Sequence, residues 1–276
     1  MLWTEELFGV KKPVISMLHL DQLPGDPRWR HTDSMETVVE HARHDLRALQ
    51  EGGVDGILFS NEFSLPYQRT MSHVTPAAMA YVIGCLRDEI TVPYGVDAIS
   101  DGLACLELAA AVNAQFVRGT FHGVYVGDGG LYNNDFSMLQ RRRTELHLQD
   151  LKMLYFINPE SDRSLDPRPL AEIASSTIFK AHPDGLCISA NAAGGDVDKD
   201  LIASVKERNP EVVVLVNTGC RPDTIEAKFD AADAAVVGTY FKEGGKLESD
   251  DLQNVRVDVR RVKELMDVVR DVRAKL

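Results

Sequence analysis

Cysteine is scarce in this 276-residue chain: four, at positions 85, 105, 187 and 220, and no two in a CxxC pair. That spacing excludes a local zinc cluster and offers no disulfide framework of the secreted kind. Basic residues are in deficit as well. Lys and Arg number 30 against 42 Asp and Glu, a formal charge of −12, which argues against a broad surface for nucleic acid or anionic lipid. A phosphorylated metabolite is not excluded, because a few amides and one or two cations outweigh global charge locally. No apolar run approaches the roughly 18 residues of a membrane span. The amino-terminal MLWTEELFGVKKP carries acids where a signal peptide needs an apolar core. The expectation is a cytoplasmic protein with reduced thiols, no nucleic-acid partner and no membrane span. Oligomeric state stays open, a homo-oligomer included.

What the chain does contain is alternation. Residues 13–20 read as a short apolar strand and 34–50 as a helix. In that helix Val38, Ala42, Leu46 and Leu49 recur at helical spacing, Ser34 is positioned as N-cap, and Gly52-Gly53 stops it. Strands follow at 56–60, 93–99, 115–120, 151–157, 185–190, 212–216 and 234–237. Helices fall at 76–87, 102–112, around Arg141–Arg143, and at 169–181, 198–209, 222–229 and 257–275. Eight apolar strands, each followed by a helix, fit a parallel sheet covered on its outside. An open doubly wound sheet shares the alternation, but the count of eight and the lack of GxGxxG after the first strand favour closure. The predicted fold is α/β: a single (β/α)8 TIM barrel of the phosphate-binding type, one domain over residues 1–276. The stretch 121–136 reads as irregular, and residues 123–134 within it, rich in glycine and asparagine, as a mobile lid over the barrel mouth.

Barrel enzymes build their sites where strand ends and the following loops converge. Those positions hold His19, Asn61 with Glu62, Asp97, Arg118 with His122, Asn158 with Glu160, Asn191, Asn217 with Thr218, and Thr239. After strands seven and eight, Thr218, Gly219, Gly238 and Thr239, with Lys242 adding charge, suit a phosphate held by backbone amides; the alternative is that both glycines only make tight turns. On that reading Gly238→Val obstructs an anion while the barrel stays folded. Glu62 is a general base or a partner of Arg118, and Asp97 a second acid or base or a structural hydrogen-bond acceptor. His19 orients substrate with Arg118, or is a neutral core histidine. His122 belongs to the lid or to solvent. Cys187 and Cys220 read as small core residues. No cofactor is expected; a divalent metal on Glu62, Asp97 and His19 or His122 is the alternative.

Several stretches carry a resemblance. Met17-Leu18-His19-Leu20 running on to Pro27, Gly52-Gly53-Val54-Asp55-Gly56-Ile57 with Asn61-Glu62, Gly95-Val96-Asp97, Phe116-Val117-Arg118, and Val237-Gly238-Thr239-Tyr240-Phe241-Lys242 through Gly245 are similar to motifs of the BtpA/SgcQ family of barrel proteins. The resemblance implies a phosphate-binding barrel with distant similarity to phosphoribosylanthranilate isomerase. It also implies relatives tied to photosystem I assembly and to a sugar-utilisation gene cluster. The chain departs from the family pattern at Asp97, at Asn158-Pro159-Glu160 and at residues 191–195. The leading expectation is a metabolic enzyme on a small phosphorylated sugar or nucleoside-type compound, working by acid/base isomerisation or lyase chemistry. A non-catalytic assembly factor on the same scaffold and a metal-dependent lyase are the alternatives.

Overall fold

The computed structural model describes residues 1–192, 194–245 and 255–276. Ala193, within the loop expected after the sixth strand, lies outside the described residues. From the amino end the chain forms α1 (Trp3–Phe8), β1 (Val14–His19), α2 (Met35–Gly52), β2 (Gly56–Ser60), α3 (Val74–Leu86), β3 (Tyr94–Asp97), α4 (Gly102–Val112) and β4 (Phe116–Gly119). A hairpin follows, β5 (Val124–Gly127) and β6 (Gly130–Asn133), then α5 (Phe136–Glu145). Next come β7 (Lys152–Asn158), β8 (Arg163–Ser164), α6 (Leu170–Ala181), β9 (Gly185–Ile188) and α7 (Lys199–Arg208). The order ends with β10 (Val213–Val216), α8 (Ile225–Phe229), β11 (Ala234–Val237) and α9 (Val259–Arg273). Eight strands close into a parallel barrel in the order β1-β11-β10-β9-β7-β4-β3-β2, and helices join them on the outside.

Helix ends follow local chemistry. The Ser34 hydroxyl accepts the Thr37 amide at the start of α2, and Gly53 ends that helix in the left-handed region at φ 88°. Asp101 accepts the Leu103 and Ala104 amides to start α4.

The pleat sorts the strand side chains. Ile15, Met17, Leu58, Phe116, Leu154, Cys187, Leu215 and Val236 pack together inside the barrel. Their strand neighbours Leu18, Ile57, Phe59, Val117, Leu186, Val214 and Val216 pack outward under the helices. The amino-terminal helix α1, which the sequence reading left unassigned, closes the barrel floor with Trp3, Leu7 and Phe8; Phe8 meets Phe116 edge-on at 5.7 Å. Because side chains alternate along a strand, the next inward layer toward the carboxyl ends is His19, Ser60, Asp97, Arg118, Ser189, Asn217 and Gly238. Strand register agrees, with His19 opposite Ser60 and Ser60 opposite Asp97. An apolar floor thus gives way to a polar top layer in one step of the pleat.

The stretch 121–136 is not irregular. β5 and β6 pair antiparallel with Tyr125 opposite Tyr132, and β8 adds a third strand. Gly130 takes φ 89° at the turn, where a side chain would be strained. The glycines signal the turn, and the flanking Val-Tyr-Val and Leu-Tyr segments supply the strands. Among the described residues, no helix is long and apolar enough to cross a membrane.

Candidate functional site

A hydrogen-bonded chain of side chains crosses the polar layer. Arg118 Nε and Nη2 both lie 2.8 Å from Asp97 Oδ2, and Nη1 donates to Asn217 Oδ1 at 2.9 Å. Asn217 Nδ2 donates to Ser189 Oγ and to Glu160 Oε1, each at 3.0 Å. The guanidinium carbon also stands 4.8 Å from the centre of the Phe156 ring. Four strands therefore fix one arginine, which leaves it little rotational freedom to lose when a ligand binds.

Three carboxyl groups face this single guanidinium. Burial raises the Glu62, Asp97 and Glu160 carboxyls, and Arg118 opposes the rise in each. For Glu160 the neighbouring Glu62 and Asp97 add to the effect of burial, and its pKa reaches about 7. Glu160 therefore titrates near neutral pH. The Tyr67 hydroxyl donates to the Glu62 backbone carbonyl at 2.9 Å and to Oε1 at 3.2 Å. His19 Nε2 lies 3.9 Å from Glu62 Oε2. Burial, with Lys242 and Arg118 nearby, holds the His19 pKa well below its ordinary value. That contact joins a neutral ring to a carboxyl group, not two charges.

Two cavities open from this network and share Glu62, Arg118 and Glu160. The first is a recess of about 80 Å3 bounded by His19, Asn217, Thr218, Gly219, Arg221, Gly238 and Thr239. The second is a chamber of about 490 Å3 between Tyr67, Asp97, Phe156 and the hairpin residues Asp128, Gly129 and Tyr132. The hairpin thus reaches the mouth, where the sequence reading placed a lid.

Thr218, Gly219, Gly238 and Thr239 border one recess, and both glycines sit in close packing. Gly219 has φ 67°, and a Cβ on it would lie 2.4 Å from the Gly195 carbonyl oxygen. A Cβ on Gly238 would lie 3.0 Å from the His19 ring. The Thr218 hydroxyl accepts the Ala190 amide at 2.8 Å and keeps its proton to donate. Lys242 is a correction: fully buried, it bonds Asp45 Oδ2 at 2.7 Å beneath α2 and does not line the recess. Two cations the sequence reading passed over stand closer. Arg221 lines the recess. Buried Lys228 ties Asp196 Oδ1 (2.5 Å) to the Thr218 carbonyl (3.4 Å) behind it.

Other expected mouth residues turn elsewhere. Asn61 accepts the Ile99 amide at 2.9 Å. Asn158, at a register shift in β7, clamps β9 through the Ser189 carbonyl and amide. Asn191 is exposed. His122 is neither lid nor solvated: its ring is buried against Tyr125 and Tyr155, at 6.3 and 5.7 Å between centroids. Burial pushes its pKa down to about 4. Among the described residues, no three His, Cys, Asp or Glu side chains are grouped to hold a metal ion. Burial pushes the Cys187 and Cys220 thiols up to about 12, which removes them as nucleophiles at neutral pH.

Comparison with known proteins fits this architecture. The chain is 40% identical to SgcQ, an sgc-region protein of Escherichia coli (strain K12), over 99% of this chain and 100% of that one. It is 29% identical to the photosystem I biogenesis protein BtpA of Synechocystis sp. (strain PCC 6803), covering 88% and 84%. Among solved structures, (S)-3-O-geranylgeranylglyceryl phosphate synthase from Thermoplasma acidophilum, in complex with sn-glycerol-1-phosphate, superposes with a TM-score of 0.59. The overlap covers 98% of this chain and 99% of the other at 14% identity, a likeness of fold. The BtpA family model matches residues 10–271, and with a 40% identical relative along nearly its whole length, the chain belongs to the BtpA family.

Proposed function

We propose that this protein is an enzyme that binds a small phosphorylated sugar-like or nucleoside-type compound at the barrel mouth and moves a proton on it, as an isomerase or a lyase does. The observation that carries the reading is the sharing of Glu62, Arg118 and Glu160 between the recess and the chamber. A ligand anchored by phosphate in the recess lies against two carboxyl groups and a fixed guanidinium. Thr218, Thr239 and Arg221 supply donors to the phosphate, and Lys228 adds positive potential from behind.

In this reading Glu62 and Glu160 exchange the proton. Asp97, expected as an acid or base, holds Arg118 in place, since its Oδ2 receives the guanidinium. Arg118 faces the oxygen on which negative charge develops, and preorganised donors of that kind account for much of enzymatic rate enhancement. Glu160, with a pKa of about 7, matches the requirement that a proton-transfer group titrate near working pH. Neutral His19 serves as a hydrogen-bonding partner, not a charge. The relative named for photosystem I biogenesis suggests an assembly role instead; a mouth lined by three carboxyl groups and a buried arginine favours chemistry over scaffolding.

The test is proton exchange. The protein is incubated in deuterium oxide with a panel of phosphorylated sugars and nucleosides, and nuclear magnetic resonance follows the substrate C–H signals. Exchange that Glu62→Gln abolishes supports the reading, and an absence of exchange or turnover across the panel counts against it.

A further inference from the structure

The sizes of the two cavities divide a ligand between them. The recess of about 80 Å3 is about one-sixth the size of the chamber, so the compact phosphate end of a ligand suits the recess and its bulkier end the chamber. The chamber of about 490 Å3 admits a six-membered ring with its substituents. Tyr67, Tyr132 and Phe156 give its walls flat carbon surface, while Asp128 and Asp162 give oxygen acceptors and Ser100 a hydroxyl. Ionised carboxylates only accept hydrogen bonds. Such walls suit a ring whose faces are C–H and whose edge carries O–H donors. They disfavour a second anion, since Asp128 and Asp162 add carboxylates to a lining that already holds Glu62, Asp97 and Glu160, and the nearby guanidiniums are engaged, Arg118 by Asp97 and Arg69 by Tyr132 and the Gly129 carbonyl.

The hairpin wall is held in place. Arg69 stacks on Tyr132, its guanidinium carbon 3.9 Å from the ring centre, and donates to the Gly129 carbonyl. The Tyr132 and Ser100 hydroxyls are 3.3 Å apart. Asp162 closes against the hairpin turn, where a Cβ on Gly127 would strike its carboxylate.

We infer that the hairpin-side chamber receives the unphosphorylated body of the substrate, a hydroxyl-rich ring bearing no second anionic group, and that Tyr132 and Asp162 set specificity for it. The inference rests on the reading that the recess takes the phosphate. Binding of inorganic phosphate, glucose, glucose 6-phosphate and glucose 1,6-bisphosphate is measured by titration calorimetry on the full chain and on Tyr132→Ala and Asp162→Asn. Asp162→Asn is the near-isosteric check should the tyrosine variant fold poorly. Glucose 6-phosphate is expected to bind at least about ten-fold tighter than either inorganic phosphate or the bisphosphate, and each variant to lose most of that margin while binding inorganic phosphate as before. Glucose 6-phosphate binding that both variants leave unchanged, or equal affinity for the bisphosphate, overturns the chamber assignment and spares the phosphate reading. Equal affinity for glucose and glucose 6-phosphate, with sensitivity to Tyr132→Ala retained, overturns the phosphate reading and spares the chamber.

Discussion

The two sides of the mouth are built differently. The recess lies among barrel strands β1, β10 and β11, and strand pleat and close glycine packing fix its walls. The chamber lies on the opposite side, and part of its wall comes from the hairpin and the loop after β2. A strand end permits few positions for a side chain, whereas a loop can be rebuilt without disturbing the barrel. On the proposed reading, the proton chemistry belongs to the shared residues and substrate choice to the hairpin side.

The largest effect is expected where the recess side is anchored. Lys242 and Asp45 form a fully buried pair, and Asp45 Oδ1 also accepts the Val257 amide at 2.8 Å. Together they hold the chain after β11 against α2. Lys242→Ala leaves a buried carboxylate uncompensated, and urea unfolding is expected to show a loss of about 3–5 kcal/mol. A loss below about 1 kcal/mol, the range of exposed ion pairs, would contradict the anchoring of the chain after β11.

Glu160 gives an effect of opposite sign. Its carboxyl titrates at about 7 in the folded chain against an ordinary 4.5, so the unfolded state gives up its proton first. The resulting penalty is absent below about pH 4.5, grows as pH rises and is complete above about 7. Glu160→Gln is therefore expected to be more stable than wild type by about 1–3 kcal/mol at pH 8, with the difference gone near pH 4.5. Thermal unfolding across that range checks it, and a pH-independent difference speaks against the assignment.

Gly238→Val sharpens the comparison at the recess itself. The new Cβ meets the His19 ring at 3.0 Å and Met17 Cγ at 3.1 Å, so the substitution moves His19 before it reaches an anion. Overpacking of this kind costs about 1–3 kcal/mol. The histidine resonance of His19 is expected to shift even without ligand; an unperturbed His19 with normal stability contradicts the packing account.

The barrel was legible in the sequence because its signals are local: eight apolar runs, helical spacing between them, and caps such as Ser34 and Gly53. At the mouth, what decided success was pleat parity. His19, Arg118 and Asn217 fall two residues beyond inward core positions, Asp97 falls two beyond Gly95, which faces the inward Phe116 ring, and they form the polar layer. Asn61 lies one residue beyond inward Ser60, and its side chain serves the backbone. Asn158 sits at a register shift that no short pattern announces. Glu160 stands two residues past the end of β7, and its place depends on the bond from Asn217, fifty-seven residues further along the chain. Lys242 was misplaced because a lysine beside two glycines fits an anion site, while its actual partner, Asp45, is 197 residues away in sequence. Long-range pairing of that sort is written in the fold and not in any neighbourhood of the chain.

The central claim is that phosphate and substrate body occupy different sides of one mouth, with Glu62, Arg118 and Glu160 between them. A crystal structure of the protein with a bound sugar phosphate tests it most directly. The account predicts the phosphorus in the recess, against Thr218, Gly219, Thr239 and Arg221, and the sugar ring facing Tyr132 across the Arg118 network. A phosphate seated among Asp128, Asp162 and Tyr132, or a ligand bound away from both cavities, would contradict it.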